Sequence, residues 1–327
     1  FNEIPSIRMD VNEADFWEKL KSLDLFIFPF YNVTDLKEIA WSIMPVINNY
    51  LNIKCFPDLA TSWHYDDKIK EYYLLKQSDL PVIESYVFWE KSSALDWIEK
   101  ADFPVVFKLK TGSGSQNVLL VENQSFARKL IRKMFGKGIK PDRIRFGRST
   151  QMVDFSIKEY IHKLGIRAYR TIKGKDLYPL WEKQKNYILF QKYLPNNHYD
   201  TRITVIGDRA FGGIRFNRMN DFRASGSGLP DNDHTRIDIR CVEVAFQAAE
   251  KLNFQSMAFD FLFNEHNEPM ISEISYIFPS YKAGYLLEGY WDRNYRWHPG
   301  HFWPQYFQLM DLLKMPGLKQ PDIPVHE

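Results

Sequence analysis

Apolar positions along this chain come in short runs, repeatedly interrupted, and the spacing changes between two periods. Residues 14–23 and 35–51 carry apolar side chains at helical spacing, whereas 25–30 and 53–56 are compact apolar runs of strand length. Pro57 and Asp58 close the second run. Strand and helix alternating in this way predict a small α/β lobe over residues 1–66 with a parallel sheet, serving as one wall of a cleft.

After residue 66 the pattern changes to antiparallel signatures. Asp66-Asp67-Lys68 opens a helix to about Gln77, with its aspartates at the end where the helix dipole favours negative charge. A strand is predicted over 86–88, a serine-capped helix over 92–100, strands over 104–109 and 118–121, and a helix over 125–135. Residues 187–194 read as a strand stopped by Pro195, and 200–206 with 210–216 as a hairpin about Gly207-Asp208. An amphipathic helix over 240–252 precedes strands at 256–263 and 269–275 joined by a turn. The whole is of the α+β class.

Candidate chemistry sits where this pattern is broken. Thr111 to Asn117 holds Gly112 and Gly114 among Ser113, Ser115 and other small polar residues, between two strands. Glycine lets a main chain approach a phosphate closely, and backbone N–H groups and hydroxyls then face its oxygens. Lys108 and Lys110 lead into the loop, and strand alternation predicts that both face the same way. There is no Gly-Lys-Ser/Thr of a Walker loop and no third glycine of a dinucleotide fingerprint, so a hairpin with a polar tip is the competing reading.

Further on, Ile203 and Val205 are expected on one face of their strand and Arg202 and Thr204 on the other, with Arg215 nearby. Arg218 and Arg223 flank a loop poor in apolar anchors that ends in Gly/Ser residues, an arrangement suited to clamping an oxyanion. Asp260 and Glu273 each interrupt an apolar strand. A buried carboxylate needs a partner, and here it is either a cation such as an arginine or a hard metal ion such as Mg²⁺.

Composition narrows the picture. The 327 residues are 45% hydrophobic and 26% charged, which is ordinary for a globular protein of two or three lobes. The formal net charge of +2 is uninformative, but between Arg128 and Lys185 17 lysines and arginines face five acids. That basic segment is either a solvated face or a surface for an anionic partner. No nucleic-acid-binding motif accompanies it, which argues against nucleic acid. Cys55 and Cys241 stand alone, as expected of reduced thiols in a cytoplasmic protein, and no apolar run reaches the length of a membrane span. No signal peptide is visible, and a chain opening on Phe1 is expected to lack residues of its start. Trp291, Trp297 and Trp303 lie in an aromatic-rich stretch that either packs on the core or stacks on sugar rings. His298 and His301 follow Pro/Gly breaks and are not read as metal ligands.

In their order, these pieces resemble the ATP-grasp superfamily of carboxylate–amine ligases, over about residues 66–280. Asp67-Lys68 resembles the lysine that opens the ATP-grasp region, and Pro104-Val-Val-Phe-Lys108 the second nucleotide-binding lysine before the flexible glycine loop. Phe190-Gln191-Lys192-Tyr193-Leu194 looks like the hinge strand whose backbone meets adenine. Asp200-Thr-Arg202, Arg218 and Phe222-Arg223 resemble the arginine pattern of RimK-like ligases, and Asp260 with Glu273 the metal carboxylates. Two positions depart from that pattern. Ser275 stands where the family usually has a metal-binding Asn, and the ribose-binding acid is one of Asn197, His198 or Asp200.

The resemblance implies a pre-ATP-grasp domain over 1–66 and an ATP-grasp domain over 67–315, followed by a tail over 316–327. Within the ATP-grasp domain it implies a lid subdomain at about 102–189, holding the basic insertion, and a metal-binding subdomain over 190–315. It implies ATP and Mg²⁺, or Mn²⁺, as cofactors, an acylphosphate intermediate, and an anionic small-molecule substrate. Arg202, Arg218 and Arg223 would be catalytic, with Asp260, Glu273 and Ser275 at the metal. The Phe-Arg-Ala-Ser-Gly-Ser-Gly run, Gly289-Tyr-Trp-Asp292 and Trp297-His-Pro-Gly-His301 resemble an ATP-grasp group associated with bacterial surface-polysaccharide synthesis, which implies a glycan precursor. A kinase acting on a hydroxyl, and a nucleotide-binding module without activity, are the alternatives.

Overall fold

A computed structural model describes residues 2–32, 34–112, 118–139, 183–218, 221–224, 230–278 and 288–320. Ser113, Gly114, Ser115 and residues 140–182 of the basic segment lie outside the described residues.

The first lobe forms as its alternation predicts. Helix α1 (Phe16–Leu20) leads to strand β1 (Leu25–Ile27), helix α2 (Thr34–Pro45) continues as a wide π turn (Val46–Tyr50), and β2 (Lys54–Phe56) pairs in parallel with β1. A short helix α3 (Leu59–Ser62) follows, its N–H of Thr61 capped by Asp58. This lobe has no core of its own. Phe16, Phe30, Met44 and Ile47 join one buried cluster with Ile203, Phe259 and Ile271 from the far end of the chain.

Helix α4 (Lys68–Gln77) starts at Asp67, whose carboxylate accepts from the N–H groups of Ile69 and Lys70. Next come β3 (Ser85–Phe88), α5 (Lys91–Ile98), β4 (Val105–Lys108), β5 (Val118–Val121), α6 (Gln124–Met134) and β6 (Ile188–Lys192). The serines expected to cap α5 do not; Glu90 holds that position without a side-chain bond. The four strands make one antiparallel sheet in the order β3-β6-β4-β5, so the hinge strand is central to it. Helix α6 covers the sheet with Ala127, Leu130, Ile131 and Met134, its apolar stripe.

The second sheet runs β11-β10-β7-β8-β12-β13, with β9 against β8. Its strands are β7 (Tyr199–Ile206), β8 (Arg209–Phe216), β9 (Pro230–Asp231), β10 (Ser256–Phe263), β11 (Pro269–Ser275), β12 (Gly289–Trp291) and β13 (Trp297–Pro299). Helix α7 (Ile239–Lys251) packs Cys241, Val242, Ala245 and Ala249 into the core with Ile203 and Val205. Helix α8 (Pro304–Leu313) sits on the same lobe through Phe307, which meets Phe211 and Tyr290. The C-terminal aromatics therefore pack largely on one another, and His298 stacks on Tyr290 and pairs with Asp292 at 2.8 Å. Cys55 and Cys241 are buried and unpaired. Among the described residues no helix is long and apolar enough to cross a membrane.

One buried group makes the fold sensitive to acid. His64 is buried against Phe254, neither ring nitrogen has a hydrogen bond of normal geometry among the described residues, and burial, reinforced by the Lys70 charge and only weakly opposed by the Ala60 main chain, pushes its pKa down to about 3. An unfolded imidazole takes a proton near pH 6.5 and the native one does not until about pH 3. Between those values the unfolded state binds more protons, so stability is lost at about 1.4 kcal/mol per pH unit as the pH falls. Urea unfolding at pH 7 and pH 5 is expected to show this slope in the parent and not in His64→Phe.

Candidate active site

The two sheets face one another across an open cleft of about 840 Å³. One wall is the small sheet and its hinge, with Val106, Lys108, Val118 and Gln191–Leu194; the other is the large sheet, with Asp200, Asp260, Leu262, Ser272 and Glu273. Lys68 from α4 and Phe222-Arg223 from the arginine loop close its ends.

Local structure explains how the lysines reach it. The N-terminus of α4 is tied to the chain leaving β4: Lys68 N–H donates to the Lys110 carbonyl at 2.9 Å, and Gly112 N–H to Asp66 at 2.8 Å. The Lys68 ammonium donates to the Gly112 carbonyl at 2.8 Å and pairs with Glu273 at 3.1 Å. Burial works against its charge, yet Glu273, Glu71 and Asp66 around it raise its pKa above the usual lysine value. Lys108 makes no ion pair or side-chain hydrogen bond among the described residues. Burial lowers its pKa to about 8, with the Lys68 charge adding to the effect and Glu273 opposing it. Lys110 does not share this face. Strand β4 ends at Lys108, alternation stops there, and Lys110 turns to Asp67 at 3.9 Å and to the Tyr187 ring.

The large sheet lines up its charges by register. Glu273 on β11 is opposite Asp260 on β10, and Asp260 is opposite Arg202 on β7, so all three share the cleft face. Asp200 and Arg215 are opposite each other on β7 and β8. Arg202 grips Asp260 with two hydrogen bonds, at 2.7 and 2.8 Å, and Arg215 adds a third contact at 2.8 Å. Arg215 also holds Asp200 with two bonds of 2.6 Å. Although Asp260 is buried, Arg202 and Arg215 keep its carboxyl well below the usual carboxylate range.

The cationic partner expected for Asp260 is thus present twice, and Glu273 has Lys68. A carboxylate has about four lone-pair sites, so three contacts on Asp260 leave about one for a metal. Glu273 offers the oxygen that Lys68 does not hold. Asp260 and Glu273, opposite one another on paired strands, would each have an oxygen to offer a hard divalent cation. Ser275, two residues on from Glu273, donates its hydroxyl to the Ile277 carbonyl at 2.7 Å and lines the neighbouring cavity that also holds Glu273, not the cleft itself. Among the described residues no group of three or more His, Cys, Asp or Glu is disposed to hold a metal. Asp200, spent on Arg215, is poorly placed to serve a ribose; Asn197 lines the cleft but donates to main-chain carbonyls and accepts from Phe263 N–H, and His198 is exposed.

Arg223 is buried and wraps Asp221, with contacts of 2.8 to 3.1 Å, and also donates to the Val118 carbonyl of β5 at 3.2 Å. Arg218 approaches the same aspartate at 3.5 Å. The loop thereby reaches from the large sheet to the small one, with Phe222 edge-on to Tyr193 of the hinge. Lys192 lines the cleft, but its ammonium pairs with Glu265 at 2.8 Å, and the Gln191 amide donates to Ser85. The sequence reading missed Asp221 and Glu71. Both had a cue: Asp221 lies between the two arginines, and Glu71 is one helical turn beyond Lys68 on the same face.

The family model described as the RimK-like ATP-grasp domain matches residues 65–172 and 150–276. The chain belongs to the RimK-like ATP-grasp family. Membership places it among ATP-dependent ligases and agrees with the α+β architecture of two sheets about a cleft. The α-aminoadipate–LysW ligase LysX of Saccharolobus solfataricus is 23% identical over 239 residues, covering 73% of this chain and 67% of that protein. Among solved structures, a RimK domain ATP-grasp protein from Sphaerobacter thermophilus aligns with a TM-score of 0.43 and 15% identity, over 77% of this chain and 72% of that one. The biotin carboxylase of Campylobacter jejuni aligns with a TM-score of 0.47 and 16% identity over 80% of this chain, which spans only 50% of the carboxylase.

Proposed function

We infer that this member of the family joins a carboxylate to an amine at the expense of ATP, through an acylphosphate. The observation that carries the reading is the meeting of Lys68, Lys108, Asp260 and Glu273 in one cleft beside the hinge Gln191–Leu194. Ile83, Val106 and Leu262 give that cleft apolar surface for a flat base, and the two lysines supply charge for a triphosphate. A magnesium ion on Asp260 and Glu273 would neutralise phosphate charge and polarise the transferred group.

In the first step a substrate carboxylate oxygen bonds to the γ-phosphorus, the bridging P–O bond breaks and ADP leaves. In the second an amine nitrogen bonds to the acyl carbon, phosphate leaves with the electron pair of the C–O bond, and the amine gives up a proton. Lys68 and Lys108 orient the phosphates and offset their charge. Arg218 and Arg223, held by Asp221 beside the cleft, stabilise negative charge on the reacting groups. Arg202, bound to Asp260, is assigned chiefly to hold that carboxylate in place. Enclosure between the sheets protects the acylphosphate from water. An anionic glycan precursor is the substrate we favour, on the sequence resemblance of Gly289-Tyr-Trp-Asp292 and Trp297-His-Pro-Gly-His301 alone.

The test is incubation with ATP, Mg²⁺ and panels of carboxylic acids and amines. ADP, phosphate and amide formed in equal amounts, with oxygen-18 passing from the carboxylate into phosphate, supports the reading. A phosphorylated hydroxyl without amide points to a kinase and overturns it. Arg223→Ala is expected to lower turnover about 100-fold, the usual scale for one oxyanion-stabilising donor. Its nucleotide affinity should stay within a few-fold, with folding checked by thermal melting. Wild-type turnover in that variant removes Arg223 from the chemistry.

A further inference from the structure

A second cavity adjoins the cleft and a third adjoins the second, and both differ from the cleft in the charge of their linings. The nearer, about 590 Å³, shares Gly112 and Glu273 with the cleft and is bounded by Tyr31, Asn32, Tyr65, Asp66 and Glu71. Among the described residues no lysine, arginine or histidine lines it, whereas Lys68, Lys108, Lys192 and Arg223 all line the cleft. Glu71 is 3% exposed, and its single hydrogen bond is a long one from Ile274 N–H to Oε2, at 3.3 Å. Its Oε1 has no hydrogen bond among the described residues. The farther cavity, about 870 Å³, shares Tyr31 and Ile277 with the nearer one. Phe56, Tyr276, Phe278, Leu309 and the amides of Gln305 and Gln308 line it, and among the described residues none that lines it is charged.

We propose that these adjoining cavities form the site of the amine substrate, which places its amino group beside Glu71 and an uncharged body in the outer cavity. The inference rests on the ligase reading and names the substrate class it leaves open. Charge decides the orientation. Asp66 is already paired with Lys37 at 3.1 Å and Glu273 with Lys68 at 3.1 Å, whereas Glu71 has no cation of its own among the described residues and burial, with the Glu273 charge, raises its pKa. A second carboxylate there would add to that strain, whereas an ammonium group relieves it by pairing with Glu71. The cationic cleft suits the phosphates and the donor carboxylate, so the two reactants are sorted by sign on either side of Glu273. A charged body in the outer cavity would lose its hydration without a counter-charge, while an apolar or aromatic body buries surface against Phe56, Tyr276 and Leu309. The amides of Gln305 and Gln308 leave room for neutral polar groups on that body. The N-terminal lobe supplies Tyr31, Asn32 and Phe56, which gives it a role in selecting the amine.

The full chain, saturated with Mg²⁺ and a non-hydrolysable ATP analogue, is titrated calorimetrically with tyramine and with 4-hydroxyphenylacetate, the same ring carrying a carboxylate in place of the amine. Tyramine is expected to bind at least tenfold more tightly. Glu71→Gln should weaken tyramine about tenfold, and Leu309→Arg should do the same from the outer cavity, far from the nucleotide. Equal or tighter binding of the carboxylate, or tyramine affinity unchanged in Leu309→Arg, overturns the proposal. Nucleotide binding is measured first and separately. Its loss in the parent protein would sink the ligase reading, whereas intact nucleotide binding with the wrong ring preference sinks only the amine site.

Discussion

Asp260→Ala is expected to destabilise the protein by about 3–5 kcal/mol and to abolish detectable turnover. Asp260 accepts three contacts of 2.7 to 2.8 Å from Arg202 and Arg215, and it is 6% exposed. Removing it leaves two guanidinium groups facing each other across β7 and β8 with one carboxylate, Asp200, between them. The penalty comes from those unpaired cations more than from the lost bonds, because low-dielectric surroundings magnify repulsion as well as attraction. Asp260→Asn keeps the shape and can still accept from one arginine, so its stability loss should be smaller while turnover falls as far. Urea denaturation and ADP release measured on both variants separate the roles. If Asp260→Asn kept wild-type turnover, the carboxylate would be structural and the metal assignment would fail.

Lys108→Met is expected to raise the nucleotide dissociation constant by about 30- to 150-fold, corresponding to about 2–3 kcal/mol for a charge-assisted contact in a desolvated cleft. Methionine preserves the apolar stem, so the fold should tolerate it. The pH dependence gives the finer check. Burial lowers the Lys108 pKa to about 8, and a bound triphosphate would raise it by supplying negative charge. Below about pH 8 the ammonium is present in both free and bound protein, and affinity is insensitive to its titration. Above about pH 8 binding must first restore its proton, so affinity should fall by up to tenfold per pH unit, with uptake of close to one proton. Calorimetry in two buffers of different ionisation enthalpy measures that uptake at pH 9. Lys108→Met should show neither the proton nor the added slope; a variant that retained both would shift the titration to another group, with Lys68 the nearest cation.

These two residues also show why the site is assembled from distant parts of the chain. Lys108 ends a strand in one sheet, and Asp260 sits in the middle of a strand in the other. Their common cleft exists because β6 is central to the small sheet and its hinge, Tyr193 and Leu194, carries the chain across to β7. The arginine loop closes the gap from the opposite side, with Arg223 bonded both to Asp221 and to the Val118 carbonyl. A loop that bridges two sheets through a buried guanidinium couples their separation to its own conformation, so nucleotide binding and loop order are expected to depend on each other.

Much of this molecule is local and was legible in the residues alone. Most strands and helices up to Ser275 begin and end within a few positions of where apolar periodicity, prolines and capping aspartates put them, whereas α3, β9, β12, β13 and α8 were not anticipated. The opposed faces of β7, Ile203 and Val205 inward and Arg202 toward the cleft, follow from alternation. So does the need of Asp260 for a buried partner, since an isolated carboxylate in an apolar strand costs too much to persist. What periodicity does not contain is register and partner choice. Arg202 and Asp260 are 58 positions apart, and only the pairing of β7 with β10 sets them opposite one another. The pairing of β7 with β8 then decided that Asp260 meets a second arginine and that Arg215 consumes Asp200. Lys110 left the cleft because its strand stopped two residues early, a boundary set by the tie between α4 and the chain after β4. Local sequence limits which side chains need partners; the partners are selected by contacts between segments far apart, whose free energies come from packing the two sheets and the first lobe into their final arrangement.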